Sequence, residues 1–82
     1  MTSKTDIEGL VHFLVTSLVE QPDRVDIASR SEGNTTVYDV SLDPDDVGKV
    51  IGRKGRIIKA IRTVVRAAAG ADGDHVDVEV LG

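Results

Sequence analysis

The apolar residues of this chain change period along its length, and the order of the changes leaves few folds open. Ile7, Leu10, Val11, Leu14, Val15, Leu18 and Val19 recur at steps of three and four, which on a helix of 3.6 residues per turn makes one stripe. Thr5 with Glu8 forms a capping-box pair at the start and Pro22 closes the pattern, so the spacing predicts a helix over about 6–20. Phe13 lies off the stripe; it either widens the buried face or is left for a partner. From Arg24 the period becomes two. Val25 and Ile27 alternate with Asp26 and Ala28, and after Glu32-Gly33-Asn34 a second run puts Tyr38, Val40 and Leu42 on one side. These read as strands over about 24–30 and 35–42 joined by a short loop. Val76, Val78 and Val80 alternate with Asp77 and Glu79 in a last strand over about 75–81.

Between the second and third strands the helical period returns twice. Asp43-Pro44-Asp45-Asp46 is a helix start in which Asp43 caps, Pro44 suits the first helical position and two carboxylates meet the positive dipole end. The short helix it opens, about 44–51, carries Val47, Val50 and Ile51 and stops at Gly52. Ile57, Ile58, Ile61, Val64, Val65 and Ala68 then form another stripe, about 56–69, ending near Gly70. The order helix, strand, strand, helix, helix, strand predicts an α+β domain, a three-stranded sheet with helices on one face, because each alternating strand has one apolar side to bury. At 82 residues, one domain over 1–82 is expected.

With no cysteine, disulfides and thiolate metal sites are excluded. The N-terminal residues lead into an amphipathic pattern, and no run of about 18 apolar residues occurs anywhere, so a soluble cytoplasmic protein is expected. The net charge is −4, yet seven of the ten basic residues (Lys49, Arg53, Lys54, Arg56, Lys59, Arg62, Arg66) fall between 49 and 66 with no Asp or Glu among them. That segment carries +7 and the rest of the chain −11, a segregation that suggests a face for an anion on a body that repels it.

Gly52-Arg53-Lys54-Gly55 stands at the centre of this block. Neither glycine presents a Cβ, so a sugar-phosphate backbone could lie close. The helix that follows offers unpaired N–H groups and its positive end, and Arg53 and Lys54 bring cations to the same point. Spacing alone does not single the loop out, since Gly70-Ala71-Asp72-Gly73 has it too, with a carboxylate, no cation and no apolar helix behind it.

With its flanks, Val50-Ile51-Gly52-Arg53-Lys54-Gly55-Arg56-Ile57-Ile58 resembles the signature of the KH domain, an aliphatic-Ile-Gly-x-x-Gly-x-x-Ile run joining two helices. The element order resembles the bacterial (type II) arrangement, and length and ending resemble the small single-KH RNA-binding proteins of the KhpA family. The resemblance implies that the loop grips the backbone of about four unpaired nucleotides while bases rest on an aliphatic groove. The matching RNA-binding positions are Gly52, Arg53, Lys54, Gly55 and Arg56, with Lys49 beside them and Val47, Val50, Ile51 and Ile58 in the groove, joined by Val40 from the strand. It further implies an RNA chaperone or post-transcriptional regulator, acting as a homodimer or with a KhpB-type KH protein and linked to cell elongation and envelope homeostasis. With Phe13 and Tyr38 the only aromatic residues, a stacking platform is hard to build, so weak and loosely selective binding is expected.

Catalysis finds little support. His12 and His75 are isolated, no His-x-x-x-His occurs, the Asp43–Asp46 acids are explained by the helix start, and neither a Walker loop nor a serine in a nucleophile setting is present. No cofactor, metal, membrane or small-molecule substrate is expected. Two rival classes fit part of the pattern. A helix-turn-helix DNA binder also has a glycine turn and a basic second helix, although Ile57 and Ile58 stand where that class presents polar residues to base edges. A protein-interaction module would use the aliphatic surface near Ile51, or Phe13. Lys59, Arg62 and Arg66 read as a solvated helix face that steers an anion.

Overall fold

The protein is described here by a computed structural model covering residues 6–81. Helix α1 (Ile7–Thr16) is followed by a 3₁₀ turn (Pro22–Arg24), strands β1 (Asp26–Glu32) and β2 (Thr35–Ser41), a second 3₁₀ turn (Pro44–Asp46), helix α2 (Val47–Ile51), a third 3₁₀ turn (Arg53–Gly55), helix α3 (Arg56–Gly70) and strand β3 (His75–Leu81). This is the α+β order that the periodicities predict.

The sheet has the order β1-β2-β3, which periodicity could not reveal. β1 pairs antiparallel with β2 across the two residues Gly33 and Asn34, and β2 pairs in parallel with β3 from Thr35↔His75 to Ser41↔Leu81. Parallel pairing needs a long crossover, and α2 and α3 supply it. The helices cover one sheet face. Val11 and Val15 of α1, Val40 of β2, Val50 of α2, Val65 and Ala69 of α3, and Val78 of β3 have no exposed surface and form one core with Ile7, Val25, Ile58, Ile61 and Val76. On the other face Val37 is buried outside this cluster. Its cross-strand partner Arg30 is ion-paired to Asp39, Glu32 and Glu79.

Several boundaries differ from expectation, each for a physical reason. α1 ends at Thr16, well before residue 20. The hydroxyls of Thr16 and Ser17 donate back to the carbonyls of His12 and Phe13 at 2.8 and 2.6 Å. The N–H groups of Glu20 and Gln21, which a longer helix would use internally, go instead to the Asp46 carboxylate at 3.1 and 3.0 Å. At the start, Asp6 caps α1 by accepting from Gly9 N–H at 2.9 Å; the expected Thr5 cap lies outside the described residues. β1 runs two residues later than expected, and 44–46 is 3₁₀ rather than α. Phe13, 66% exposed, does not widen the buried face, and Val64, at 48%, is not on the buried stripe of α3. That stripe is Ile58, Ile61, Val65 and Ala69.

β3 is an edge strand, and α3 reaches over to cover part of it. Arg62 Nε donates to the Val78 carbonyl at 2.9 Å, Val78 N–H donates to Asp77 Oδ1 at 2.9 Å, and Arg66 donates to the same carboxylate oxygen at 3.0 Å. Exposed strand edges invite pairing with other chains, and side chains placed this way block it.

Candidate nucleic-acid interface

The chain between α2 and α3 is a tight turn of four residues, 52–55. Gly52 leaves the helix at φ 75°, ψ 172° while its N–H still donates to the Gly48 carbonyl at 2.9 Å. Gly55 N–H closes the turn onto the Gly52 carbonyl at 3.1 Å, and Arg56 N–H bonds the Arg53 carbonyl. Lys54 (φ 57°, ψ 24°) and Gly55 (φ 71°, ψ 19°) are both left-handed. A side chain in that region costs about 1 kcal/mol or more, and strain of this kind is retained where the surrounding structure holds it, often at binding sites. The turn leaves Arg53 and Lys54 exposed.

The two glycines serve different ends within the fold. A Cβ on Gly52 would stand 2.5 Å from Cγ1 of Ile57, so the missing side chain makes room for the protein's own α3. At Gly55 the nearest atom to such a Cβ is Cγ2 of Ile58 at 3.9 Å, and this glycine is needed for its φ alone.

The basic block divides in two. Lys49 Nζ lies 3.1 Å from buried Asp46 and 3.5 Å from Glu20, and Arg62 and Arg66 are tied to Asp77 and the edge of β3. Among the described residues, Arg53, Lys54, Arg56 and Lys59 have no carboxylate partner; all four are exposed. They surround the start of α3, which no side chain caps and whose first turn holds no acidic residue. The first N–H groups of a helix lack internal acceptors and sit at its positive end, so cations and donors converge there.

The expected groove is narrower than the aliphatic positions suggest. Val50, Ile58 and Val40 are buried in the core, where close packing leaves no surface for a base. Val47 and Ile51 are half-exposed and form its visible part. Neither aromatic residue adds to it in an evident way. Phe13 projects from α1, and Tyr38 packs on the core, its phenol pushed up by burial and by the carboxylates of Glu8, Asp6 and Asp74.

Asp46 is the residue whose role the local sequence hides. Burial pushes its carboxyl up, but the N–H groups of Glu20 and Gln21 and the Lys49 ammonium more than offset this and hold it below its ordinary value. Lys49 is correspondingly raised by its hydrogen bond to Asp46, against burial. Asp43 does cap the turn, accepting from Asp45 N–H at 2.9 Å. The partners of Asp46 are 25 and 26 residues away, a separation that no local pattern signals.

A cleft of about 380 Å³ between α1 and β1 is lined by Asp6, Glu8, Gly9, His12, Val25, Asp26 and Ile27. Its acids are unsuited to a polyanion. Among the described residues, no group of three or more His, Cys, Asp or Glu is arranged to hold a metal ion, and no helix is long and apolar enough to cross a membrane.

Comparison with known proteins gives the chain its relatives. RNA-binding protein KhpA of Oceanobacillus iheyensis is 40% identical over 75 residues, which span 92% of this chain and all of that protein. The protein of the same name in Clostridium perfringens is 42% identical over 75 residues, with the same coverage, and that of Streptomyces coelicolor is 44% identical, covering 85% of this chain and 98% of that one. Among solved structures, Aquifex aeolicus Era shares the fold with a TM-score of 0.58 at 22% identity, over 90% of this chain and 29% of that one. The family description "KhpA/KhpB, KH domain" matches residues 8–80. With nearly its whole length matched in this way, the chain belongs to the KhpA/KhpB KH-domain family.

Proposed function

We propose that this chain binds single-stranded RNA, without catalysing a reaction, by seating a backbone phosphate on the 52–55 turn. The observation that carries the proposal is the set of four exposed cations, Arg53, Lys54, Arg56 and Lys59, around an uncapped helix start. Val47 and Ile51 offer the adjoining apolar surface. The names of the relatives support the same ligand class. In this reading the protein works in the cytoplasm as an RNA chaperone or post-transcriptional regulator. It does so as a homodimer or with a KhpB-type partner, for which exposed Phe13 is an available contact, in the service of cell elongation and envelope homeostasis.

The test replaces Arg53 and Lys54 with Asp and titrates an unstructured RNA oligomer by fluorescence anisotropy. Reversing two cations lowers affinity by about tenfold or more, with circular dichroism unchanged. Full retention of binding refutes the site. Duplex DNA of equal length competes less well than the RNA, because Ile57 is half-buried against Gly52 and Ile58 is buried, leaving no polar residues there to read base edges.

A further inference from the structure

The two edges of the sheet are finished differently. At β3 the peptide groups of Val78 are occupied by Asp77 and Arg62. β1, at the other edge, has no such cover. Alternate residues of an edge strand turn their N–H and C=O away from the neighbouring strand. Among the described residues, no hydrogen bond other than the β2 ladder reaches the backbone of 26–32. The usual guards of an edge are missing as well. The strand holds an unbroken register with β2, so it has no bulge, and it contains no proline. Arg30, the one basic residue of β1, reaches inward over β2 to Asp39 and to Glu79 of β3, away from the free side. Every residue of the strand except Ile27 is exposed.

What lies beside this edge selects its occupant. The cleft between α1 and β1 meets the strand at Asp26 and Ile27, with Val25 and Ile27 as its apolar lining and Asp6, Glu8 and Asp26 as its carboxylates. Among the described residues, none of the three is paired with a cation. A second copy of this chain is disfavoured there. Outside 49–66 the chain carries −11, and β1 laid on β1 sets carboxylates against carboxylates.

We propose that the free edge of β1 takes up an extended basic segment of another protein as a fourth strand, its Lys or Arg side chains entering the cleft toward Glu8 and Asp26. Main-chain hydrogen bonds to the edge supply the grip, as in other cases of strand addition. Successive side chains of a strand point to opposite faces, so every second residue of the segment falls on the helix side and is selected by the carboxylates. The surface shares no residue with the 52–55 turn, and the inference stands apart from the RNA reading.

The probe is a fluorescein-labelled peptide of alternating Thr and Lys, matched to the 7 residues of β1 and titrated by anisotropy. It binds, and the same peptide with Pro in place of Thr, which keeps the charge but loses half the N–H groups, binds about tenfold or more weakly. Glu8→Gln/Asp26→Asn, two exposed positions, weakens the Thr–Lys peptide several-fold with circular dichroism unchanged, while Arg53→Asp/Lys54→Asp leaves its affinity as it was. On the unaltered protein, amide exchange at alternate residues of β1 slows in the complex. Equal affinity for the Thr–Lys and Pro–Lys peptides reduces the contact to charge attraction and overturns the proposal, as does protection confined to other strands. A dimer in sedimentation velocity that the peptide dissolves gives the edge to a second copy, and overturns it too.

Discussion

A single glycine can be needed for two separate reasons, and Gly52 is. Its φ of 75° and ψ of 172° lie where residues with side chains are nearly absent, and Ile57 fills the space a Cβ would take. Gly55 has the conformational reason alone. Gly52→Ala therefore costs about 2–4 kcal/mol, whereas Gly55→Ala costs about 1 kcal/mol; equal losses in urea unfolding would refute the distinction. The sequence marked both positions, because glycine beside glycine's usual punctuation is legible. It could not show that the first gap is filled from within, since Ile57 follows in the chain and its rotamer does not. Phe13 was open for the same reason: an off-stripe aromatic can turn inward or outward, and neighbouring surfaces decide.

At the scale of elements, Asp46 couples the end of α1 to the start of α2. It accepts from the N–H groups of Glu20 and Gln21 and from Lys49, so one carboxylate anchors the loop after α1 to the base of the segment that carries the turn. The periodicity of α1 ran on through Leu18 and Val19, but of these only Val19 packs against the core, reached after the chain has left the helix, while Leu18 is exposed. Asp46→Asn lowers the melting temperature at pH 7 on the order of 10 °C, more than Lys49→Met, which leaves the two backbone donors paired. The carboxyl is held below its ordinary 3.8. Its contribution is therefore complete above that pH and fades as pH falls through the lowered value. The gap between wild type and Asp46→Asn closes in acid melts below about pH 3.8; a gap that persists there would contradict the assignment.

The whole molecule is acidic with a cationic corner. Read along the chain, seven basic residues formed one block; folded, three are committed to carboxylates and four are not. The block itself was visible in the sequence, but its division depends on Asp46 and on Asp77, both brought in by the fold. With three or four phosphates engaged, log affinity for single-stranded RNA falls against log salt with a slope of about −2 to −3. Seven engaged cations would give about −5, and a flat response would point to an apolar protein contact instead. One arrangement at the rim of the sheet bears on how such a molecule behaves in quantity. Because the outward peptide groups of Val78 are already occupied by Asp77 and Arg62, neighbours gathered along the same transcript do not find an open seam there to zip into. Copies brought side by side on one ligand meet a closed rim at that residue rather than a strand to extend.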